Sequence, residues 1–508
     1  MKTIKYLFLI AVGSMFLPLT SCDDYLNLKP VIGESSEIQF GYEAGAETAL
    51  VGCYDIMAKD GRYFFWIYWL DGFQYTKSGM WIGTDSPEAV SIQNGSYPMN
   101  NTGLTFLPNM WSGPYLQIVK CNYFINKVVN TPFADPKRKQ EAIGEARCLR
   151  AFNYFQLVQF FKRVPLTLSP TDTDYPFQVE PDAIYKVIME DLRFAYSVLS
   201  PKAGIHIVSN KTGLTEDARV TKGTAAALLS KVFLTSQNNP YFSADSSAIY
   251  ANDVITNPAY GYKLLENFSD LWKVANKRNS ESIYQVSNST LGFNGGSTIA
   301  SWGSPGQTWF RVQGFMKDLF QDERITTTAG KKRILDLRRD ATIDFLTAEF
   351  TGDGQIYCLK YLDGKNGSHT DNPCQYILRL ADIYLIKAEA LCSANYDANK
   401  DQIVEIINII RDRGFGCVPK AYTEEMKIAY RLKASDVTSK LDMDKIIEDE
   451  RRRELFFEAQ LWFDMKRTGR FVDFYFDGDQ TKKYLEYMPI PPTEMKLNQN
   501  LKQIEGYN

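Results

Sequence analysis

Hydrophobic side chains recur every three or four residues along most of this chain, a spacing that predicts α-helices. One stripe contains Trp111, Tyr115, Ile118 and Ile125, with Asn122 as a polar residue on the same face. Further stripes run through residues 225–232, 377–391 and 403–413. Because the predicted helices come in pairs separated by short turns, the pattern indicates a mainly α fold of helix-turn-helix pairs.

Two longer segments complete the helical prediction. Residues 141–161 start amphipathic and become apolar nearly all round, so this helix should be buried on several sides. It should end before Val164-Pro165, since a residue that precedes proline disfavours the helical conformation. Residues 444–468 predict one last helix, with a basic final turn and Gly469 after it. Thr221 is the expected N-cap of an earlier helix. The pairs are built like tetratricopeptide units, although no strict 34-residue period is present.

Loop-rich segments interrupt the predicted helices and hold most of the Gly, Ser, Asn and Pro residues. They are found near residues 61–102, 167–180, 200–218, 289–310 and 351–374. Loops of more than about 12–15 residues in a compact protein are usually functional or disordered. Two of these segments contain tryptophan, which favours a functional role.

The N-terminus has the three parts of a bacterial secretion signal. Lys2 and Lys5 precede an apolar run at residues 6–19, and small residues lead to Cys22. A run of 14 residues is shorter than the roughly 20 that span a bilayer. A cysteine at the cleavage point predicts lipidation of Cys22, in preference to a transmembrane helix or a plain signal peptide. The acyl chains would tether the protein to a membrane surface.

These features divide the chain into a lipoprotein signal peptide, residues 1–21, and one mature domain, residues 22–508. Asp23-Asp24 follows the lipidated cysteine directly and resembles the surface-export signals of Bacteroidetes lipoproteins. The expected location is therefore the outer membrane, with the protein lipid-anchored and facing the cell exterior.

Charge and composition narrow the function. A net charge of −3 argues against binding to nucleic acid, whose phosphates require an excess of lysine and arginine. Only His206 and His369 are present, so Ser-His-Asp, Cys-His and HExxH sites are unsupported. We expect no catalytic residues, no cofactor and no metal. Calcium stays open because Asp and Asn occur in the loops, although no EF-hand spacing is found.

The cysteines indicate neither a disulfide framework nor a zinc site. Seven remain beside Cys22, and none has CxxC spacing. Cys121, Cys148 and Cys392 lie in helical patterns, which predicts buried free thiols. Cys358 and Cys374 form the nearest candidate disulfide pair, and the sequence leaves their redox state open.

Seven segments, in order along the chain, resemble the SusD/RagB-like outer-membrane lipoproteins of Bacteroidetes. They are WSGPYLQIVKCNYFINKV (111–128), GEARCLRAFNYFQLVQFFKRVPL (144–166), TKGTAAALLSKVFL (221–234), LRLADIYLIKAEAL (378–391), INIIRDRG (407–414), DERRRELFFEAQLWFDMKRTG (449–469) and YMPIPPTEMKLNQNLKQIEGY (487–507). The family usually has Glu-Gly where this chain has Glu458-Ala459, and QNPGY where it has QIEGY at residues 503–507. The resemblance extends over nearly the whole mature chain.

The resemblance implies a tetratricopeptide-like helical scaffold with long ligand-binding loops. It also implies a non-catalytic binding protein that captures oligosaccharides. The protein would pass them to a partner TonB-dependent, SusC-like transporter in the outer membrane. Capture of peptides by the same kind of fold is the first alternative, and a lid whose only ligand is its transporter is another.

Aromatic side chains in two loop segments are the candidate ligand contacts, because sugar rings stack on indole and phenol rings. Trp302 and Trp309 lie in the glycine-rich segment 291–310, where polar neighbours could bind sugar hydroxyls. Those polar candidates are Asn294, Ser301 and Gln307. Tyr75 and Trp81 belong to the second segment, residues 73–85. Most of the consecutive aromatic residues at 61–70 are expected to pack in the core, with contact to a partner subunit as the alternative.

The charged run at residues 448–454 is a rival candidate for acid–base chemistry. A glycoside hydrolase needs one carboxyl group with a raised pKa facing a second one across the sugar. Adjacent arginines would instead keep these carboxylates ionised. The run therefore predicts an ion-paired scaffold, with a lipid-anchored glycoside hydrolase as the less favoured function.

Overall fold

The computed structural model describes residues 36–59, 80–82, 97, 106–169, 175–201, 219–286, 310–312, 319–320, 322–327, 330–344, 357–360, 375–416, 428 and 430–507. Its helices are α1 (Ser36–Gln39), α2 (Glu43–Lys59), α3 (Phe106–Val128), α4 (Pro136–Phe161), α5 (Pro181–Val198), α6 (Lys222–Leu234), α7 (Ala244–Thr256), α8 (Arg338–Thr342), α9 (Leu380–Gly414), α10 (Lys440–Leu455), α11 (Leu461–Arg467), α12 (Phe471–Phe476) and α13 (Pro492–Leu497). From α2 to α7 each helix packs against the next, and α9 then packs against both α7 and α10. The predicted mainly α fold of paired helices is confirmed.

The strands described are short and form five antiparallel pairs. They are β1 (Met80–Ile82), β2 (Val164–Pro165), β3 (Gln178–Val179), β4 (Ser282–Val286), β5 (Phe310–Val312), β6 (Asp322–Thr327), β7 (Gly330–Leu335), β8 (Ile343–Asp344), β9 (Tyr357–Cys358) and β10 (Gln375–Arg379). The pairs are β1–β5, β2–β3, β4–β10, β6–β7 and β8–β9. Seven of these ten strands, β4 to β10, lie between α7 and α9. We call this strand-rich part of the chain, residues 282–379, the insertion.

Helix α4 lies in the centre of the scaffold, as its nearly continuous apolar surface predicts. The Asp135 side chain caps it by accepting a hydrogen bond from the Lys137 amide, at 2.8 Å, and Pro136 occupies the first turn. α3 and α5 pack along it, and the Met488 amide donates to the Phe160 carbonyl at its C-terminal end. The helix ends before Val164-Pro165, as expected.

Helix α6 begins where the sequence predicts. The Thr221 hydroxyl accepts from the Thr224 amide, and the Thr224 hydroxyl accepts from the Thr221 amide, which is a reciprocal capping box. Such a cap satisfies two backbone donors that the first helical turn leaves open.

Two boundaries differ from the prediction. Ile377 lies in strand β10, and helix α9 begins only at Leu380, because the segment first pairs with β4. The helix predicted over residues 444–468 is two helices, α10 and α11, separated by a turn at residues 456–460. Phe457 and Ala459 in that turn have positive φ angles of 57°, which no α-helix contains.

The thiol predictions are confirmed for the described cysteines: Cys121, Cys148 and Cys392 are buried free thiols. Cys374 and the aromatic run at 61–70 lie outside the described residues. The same holds for the signal peptide and Cys22. None of the helices in the described ranges combines the length and apolarity that crossing a bilayer requires.

Candidate functional site

Two segments that the sequence proposes as ligand loops meet in a strand pair. β1 pairs with β5 in antiparallel register, with Trp81 opposite Arg311 and Ile82 opposite Phe310. Trp309 directly precedes β5 in the sequence. The backbone therefore brings residues that are about 230 positions apart into one small sheet.

Only the backbone of Trp81 among the predicted contact residues falls in the described part of the chain. Tyr75, Asn294, Ser301, Trp302, Gln307 and Trp309 lie outside the described residues. Ligand contact by these seven side chains stays a prediction. The β1–β5 pair fixes where the two segments join.

This pair rests on further short elements of the insertion. β5 lies beside β9, and β9 pairs with β8. The Leu359 amide, next to β9, donates to the Thr342 carbonyl at 2.7 Å, and Thr342 ends α8. Strands β1, β5, β9 and β8 thus contact one another in that order, and β8 directly follows helix α8 in the chain.

A cluster of buried charged side chains lies where the insertion meets the scaffold. Its carboxylates are Asp336, Glu281, Glu450, Glu454 and Glu458, and its cations are Arg338, Lys360, Arg379, Arg411, Arg413 and Arg453. We call this set the charge cluster. Glu454 is its centre, with Arg379 Nη1 at 2.6 Å from Oε1, Arg338 Nη1 at 3.1 Å from Oε2, and Arg413 also in contact.

The charge cluster keeps Glu450 and Glu454 ionised. Burial alone would raise the pKa of Glu450, but Arg338, Arg411 and Arg453 outweigh burial and lower that pKa to about 2. Burial also acts on Glu454, and Arg413, Arg379 and Arg338 lower its pKa well below the usual range. Neither group has the raised pKa of a glycosidase proton donor. The prediction that residues 448–454 form an ion-paired scaffold is confirmed.

A cavity of about 270 Å³ between α9, α10 and α11 is the second place with clustered carboxylates. Burial raises the pKa of Glu448 there. Each carboxylate that lines the cavity has a cationic partner, and the pairs are Glu389–Arg467, Asp444–Lys440, Glu448–Arg470 and Asp464–Arg451. Such pairing does not resemble the two opposed, differently protonated carboxyls of a hydrolase.

Metal binding has no support in the part of the chain that the structure describes. No three His, Cys, Asp or Glu side chains there converge as a metal site would require. Calcium binding by the loops outside the described residues stays an open prediction from the sequence.

Sequence reasoning missed most of the charge cluster. It identified the run at 448–454, but Glu281, Arg338 and Arg379 lie 75 to 173 positions before Glu454 in the sequence. Arg411 and Arg413 were visible in the segment INIIRDRG. A buried helix face that contains glutamates was the available signal, because such groups require partners.

Comparisons with known proteins agree with this architecture. A family model described as "SusD family" matches residues 267–507, and a second, "Starch-binding associating with outer membrane", matches residues 93–234. A SusD-like protein from Bacteroides ovatus is 27% identical over 436 residues, covering 76% of this chain and 69% of the relative. The starch-binding protein SusD from Bacteroides thetaiotaomicron is 24% identical over 462 residues, covering 77% of this chain and 76% of the relative.

A solved structure shares the fold. The structure of a laminarin binding SusD-like protein superposes with a TM-score of 0.64 and 24% identity, over 92% of this chain and 100% of that one. Two family models together match most of the helical scaffold and the insertion. The chain belongs to the SusD/RagB family.

Proposed function

We propose that this protein is a non-catalytic lipoprotein that captures oligosaccharides at the cell surface and delivers them to a TonB-dependent, SusC-like transporter in the outer membrane. The β1–β5 pair carries the proposal, because its backbone pairing joins the two tryptophan-containing segments at one point of the fold. Two relatives named for starch and laminarin binding support a glycan as the ligand.

In this proposal, Trp81, Trp302, Trp309 and Tyr75 stack on sugar rings, and Asn294 and Gln307 bind hydroxyl groups. Stacking buries the apolar face of a sugar, and neighbouring polar groups fix its orientation. The lipid on Cys22 holds the protein beside its transporter. The ionised Glu450 and Glu454, together with the ion pairs around the cavity, favour binding over hydrolysis.

Isothermal titration against a panel of polysaccharides and peptides tests the proposal. We expect at least one glycan to bind, and Trp302→Ala to weaken that binding about tenfold or more, the loss of a central contact. Phe177→Ala is the matched control, because Phe177 is 69% exposed and lies next to β3, outside the two joined segments. Equal losses from both variants would contradict the assignment of Trp302.

The titration, an assay for reducing ends and a measurement of uptake together separate the alternative functions. Peptide binding without glycan binding would indicate a peptide-capturing member of the family. Release of reducing ends from the bound glycan, lost on substitution of a single carboxylate, would indicate a glycoside hydrolase instead. Uptake unaffected by Trp302→Ala would favour a lid that contacts only its transporter.

A further inference from the structure

The strands that carry the candidate face are attached to the scaffold at two buried charged residues. Arg338 opens helix α8, which continues directly into β8, and Lys360 follows β9 by two residues. β8 pairs with β9, β9 lies beside β5, and β5 pairs with β1. The position of the β1–β5 pair therefore depends on where Arg338 and Lys360 are held.

Arg338 and Lys360 both contact helix α10 or the turn that follows it. Arg338 Nη1 lies 2.8 Å from Glu450 Oε1 and 3.1 Å from Glu454 Oε2. Lys360 Nζ donates to Glu458 Oε1 at 2.7 Å and to the Glu454 carbonyl at 3.1 Å. One helical surface thus holds both ends of the β8–β9 unit.

The rest of the insertion is attached to the same surface. Glu281 precedes β4 and Arg379 ends β10, and Arg379 Nη1 lies 3.0 Å from Glu281 Oε1 and 2.6 Å from Glu454 Oε1. In addition, Arg453 Nε donates to the Leu319 carbonyl at 2.6 Å. The chain between residues 281 and 379 therefore contacts α10 at its end and at points between, and its start is linked to α10 through Arg379.

Buried ion pairs suit such attachment for a physical reason. Apolar packing stabilises a core as well as or better than charges do, but it tolerates sliding and repacking. A buried carboxylate shared by three guanidinium groups requires each donor at a defined distance and angle. Removal of one partner leaves uncompensated charge in the core, so displaced arrangements are disfavoured.

We propose that the charge cluster is a positioning site for the glycan-binding face, with Glu454 as its central residue. This inference rests on the proposed function, because it assigns to the β1–β5 pair the ligand contacts described above. The cluster residues do not touch the ligand themselves. They fix the strands from which the ligand-contacting segments extend.

Glu454→Gln tests this inference, since it keeps the shape of the side chain and removes its charge. Asp191→Asn is the matched control: Asp191 is equally buried and accepts hydrogen bonds from Arg147 and Arg150, but it joins only α4 and α5. Amide hydrogen exchange of the unliganded proteins is measured first. We expect exchange at residues 330–344 and 357–360 to become about tenfold faster in Glu454→Gln and to stay unchanged in Asp191→Asn.

Glycan affinity is measured second, on the same proteins. We expect Glu454→Gln to bind about tenfold more weakly while Asp191→Asn, with a comparable loss of thermal stability, binds like the wild type. Unchanged exchange in Glu454→Gln, or faster exchange without loss of affinity, would overturn the positioning role. A wild-type protein that binds no glycan would overturn the proposed function, whereas the exchange experiment needs no ligand.

Lys360→Met provides a milder variant, should Glu454→Gln not fold. It removes one ammonium group, and Glu458 keeps Arg379 at 2.6 Å. We expect faster exchange confined to residues 357–360 and 342–344, with weaker glycan binding. Exchange that rises equally over the whole scaffold would mean that the cluster serves stability alone, and would overturn the inference.

Discussion

Ala459 occupies a backbone conformation that suits glycine. Its φ angle is +57°, and it lies in the turn between α10 and α11, at the position where the family resemblance implies glycine after the glutamate. The turn presents Glu458 to Lys360 and Arg379. An L-residue in the left-handed region is strained, whereas glycine is not.

Ala459→Gly should therefore stabilise the protein, by about 1 kcal/mol in the free energy of unfolding. Urea denaturation measures the change. Ala146→Gly is the control, because Ala146 is buried within α4 and glycine there should cost about 1 kcal/mol. If Ala459→Gly destabilised the protein as Ala146→Gly does, packing of the methyl group would outweigh the backbone strain.

Glu450 makes the free energy of unfolding depend on pH below about pH 5. Its pKa falls from an ordinary 4.5 to about 2 in the folded protein, so its contribution is present above pH 4.5 and is lost as pH drops towards 2. We expect Glu450→Gln to lower the free energy of unfolding by roughly 3 kcal/mol at pH 7.

The difference between wild type and Glu450→Gln should shrink as pH falls from 5 to 2. Denaturation at a series of pH values measures it. Glu180→Gln, at a side chain that is 66% exposed, should track the wild type throughout. A difference that stays constant with pH would show that Glu450 contributes through packing and not through its charge.

Helices α4 and α5 pack closely at Gly144, where an added side chain would clash with α5. A Cβ atom on Gly144 would lie 2.6 Å from Val198 Cγ2. We expect Gly144→Ala to cost about 1–3 kcal/mol, because the helices would have to separate. Thermal or urea unfolding checks this value.

Gly52 in α2 supplies the contrasting substitution. No atom lies within 4 Å of a Cβ built there, so Gly52→Ala should be neutral or stabilising by up to about 1 kcal/mol. Destabilisation by both alanines would point to helix geometry in general and not to the α4–α5 contact.

Helices with a clear apolar stripe or cap were predictable from sequence. α4 and the Thr221 cap of α6 depend on spacing and on local hydrogen bonds, which a short segment encodes. The break at 456–460 was not predicted, because its residues follow the helical pattern and only their tertiary partners hold Ala459 in a left-handed conformation. Ile377 was placed in a helix for the same reason: β4, its partner strand, lies 91 to 95 positions earlier.

The candidate site shows the same division. Its aromatic residues could be proposed from composition, but the β1–β5 pair joins segments about 230 residues apart. The charge cluster was found only in part, since its members come from six separate segments. Long-range pairing of this kind leaves no periodic trace in the sequence.

For the whole molecule, we expect the lipid on Cys22 to determine location and not affinity. Cys22→Ala should leave glycan binding by the purified protein unchanged while abolishing capture at the cell surface. Titration in solution and fractionation of cells measure the two effects. A loss of affinity in solution would show that the acylated N-terminus takes part in the fold, and membrane retention without Cys22 would contradict the lipidation.

The charge cluster also affects the order of folding. Its central carboxylates, at positions 450, 454 and 458, emerge from the ribosome about a hundred residues after Arg338 and more than 160 after Glu281. Asp336 and Glu281 pair with Arg338 and Arg379 before then, but the remaining counter-charges of these buried arginines are missing until the C-terminal helices are present. Non-local contacts of this kind slow folding and leave intermediates exposed. For the lipoprotein proposed above, this order of synthesis means that the chain would have to be kept from misfolding until almost all of it had been exported.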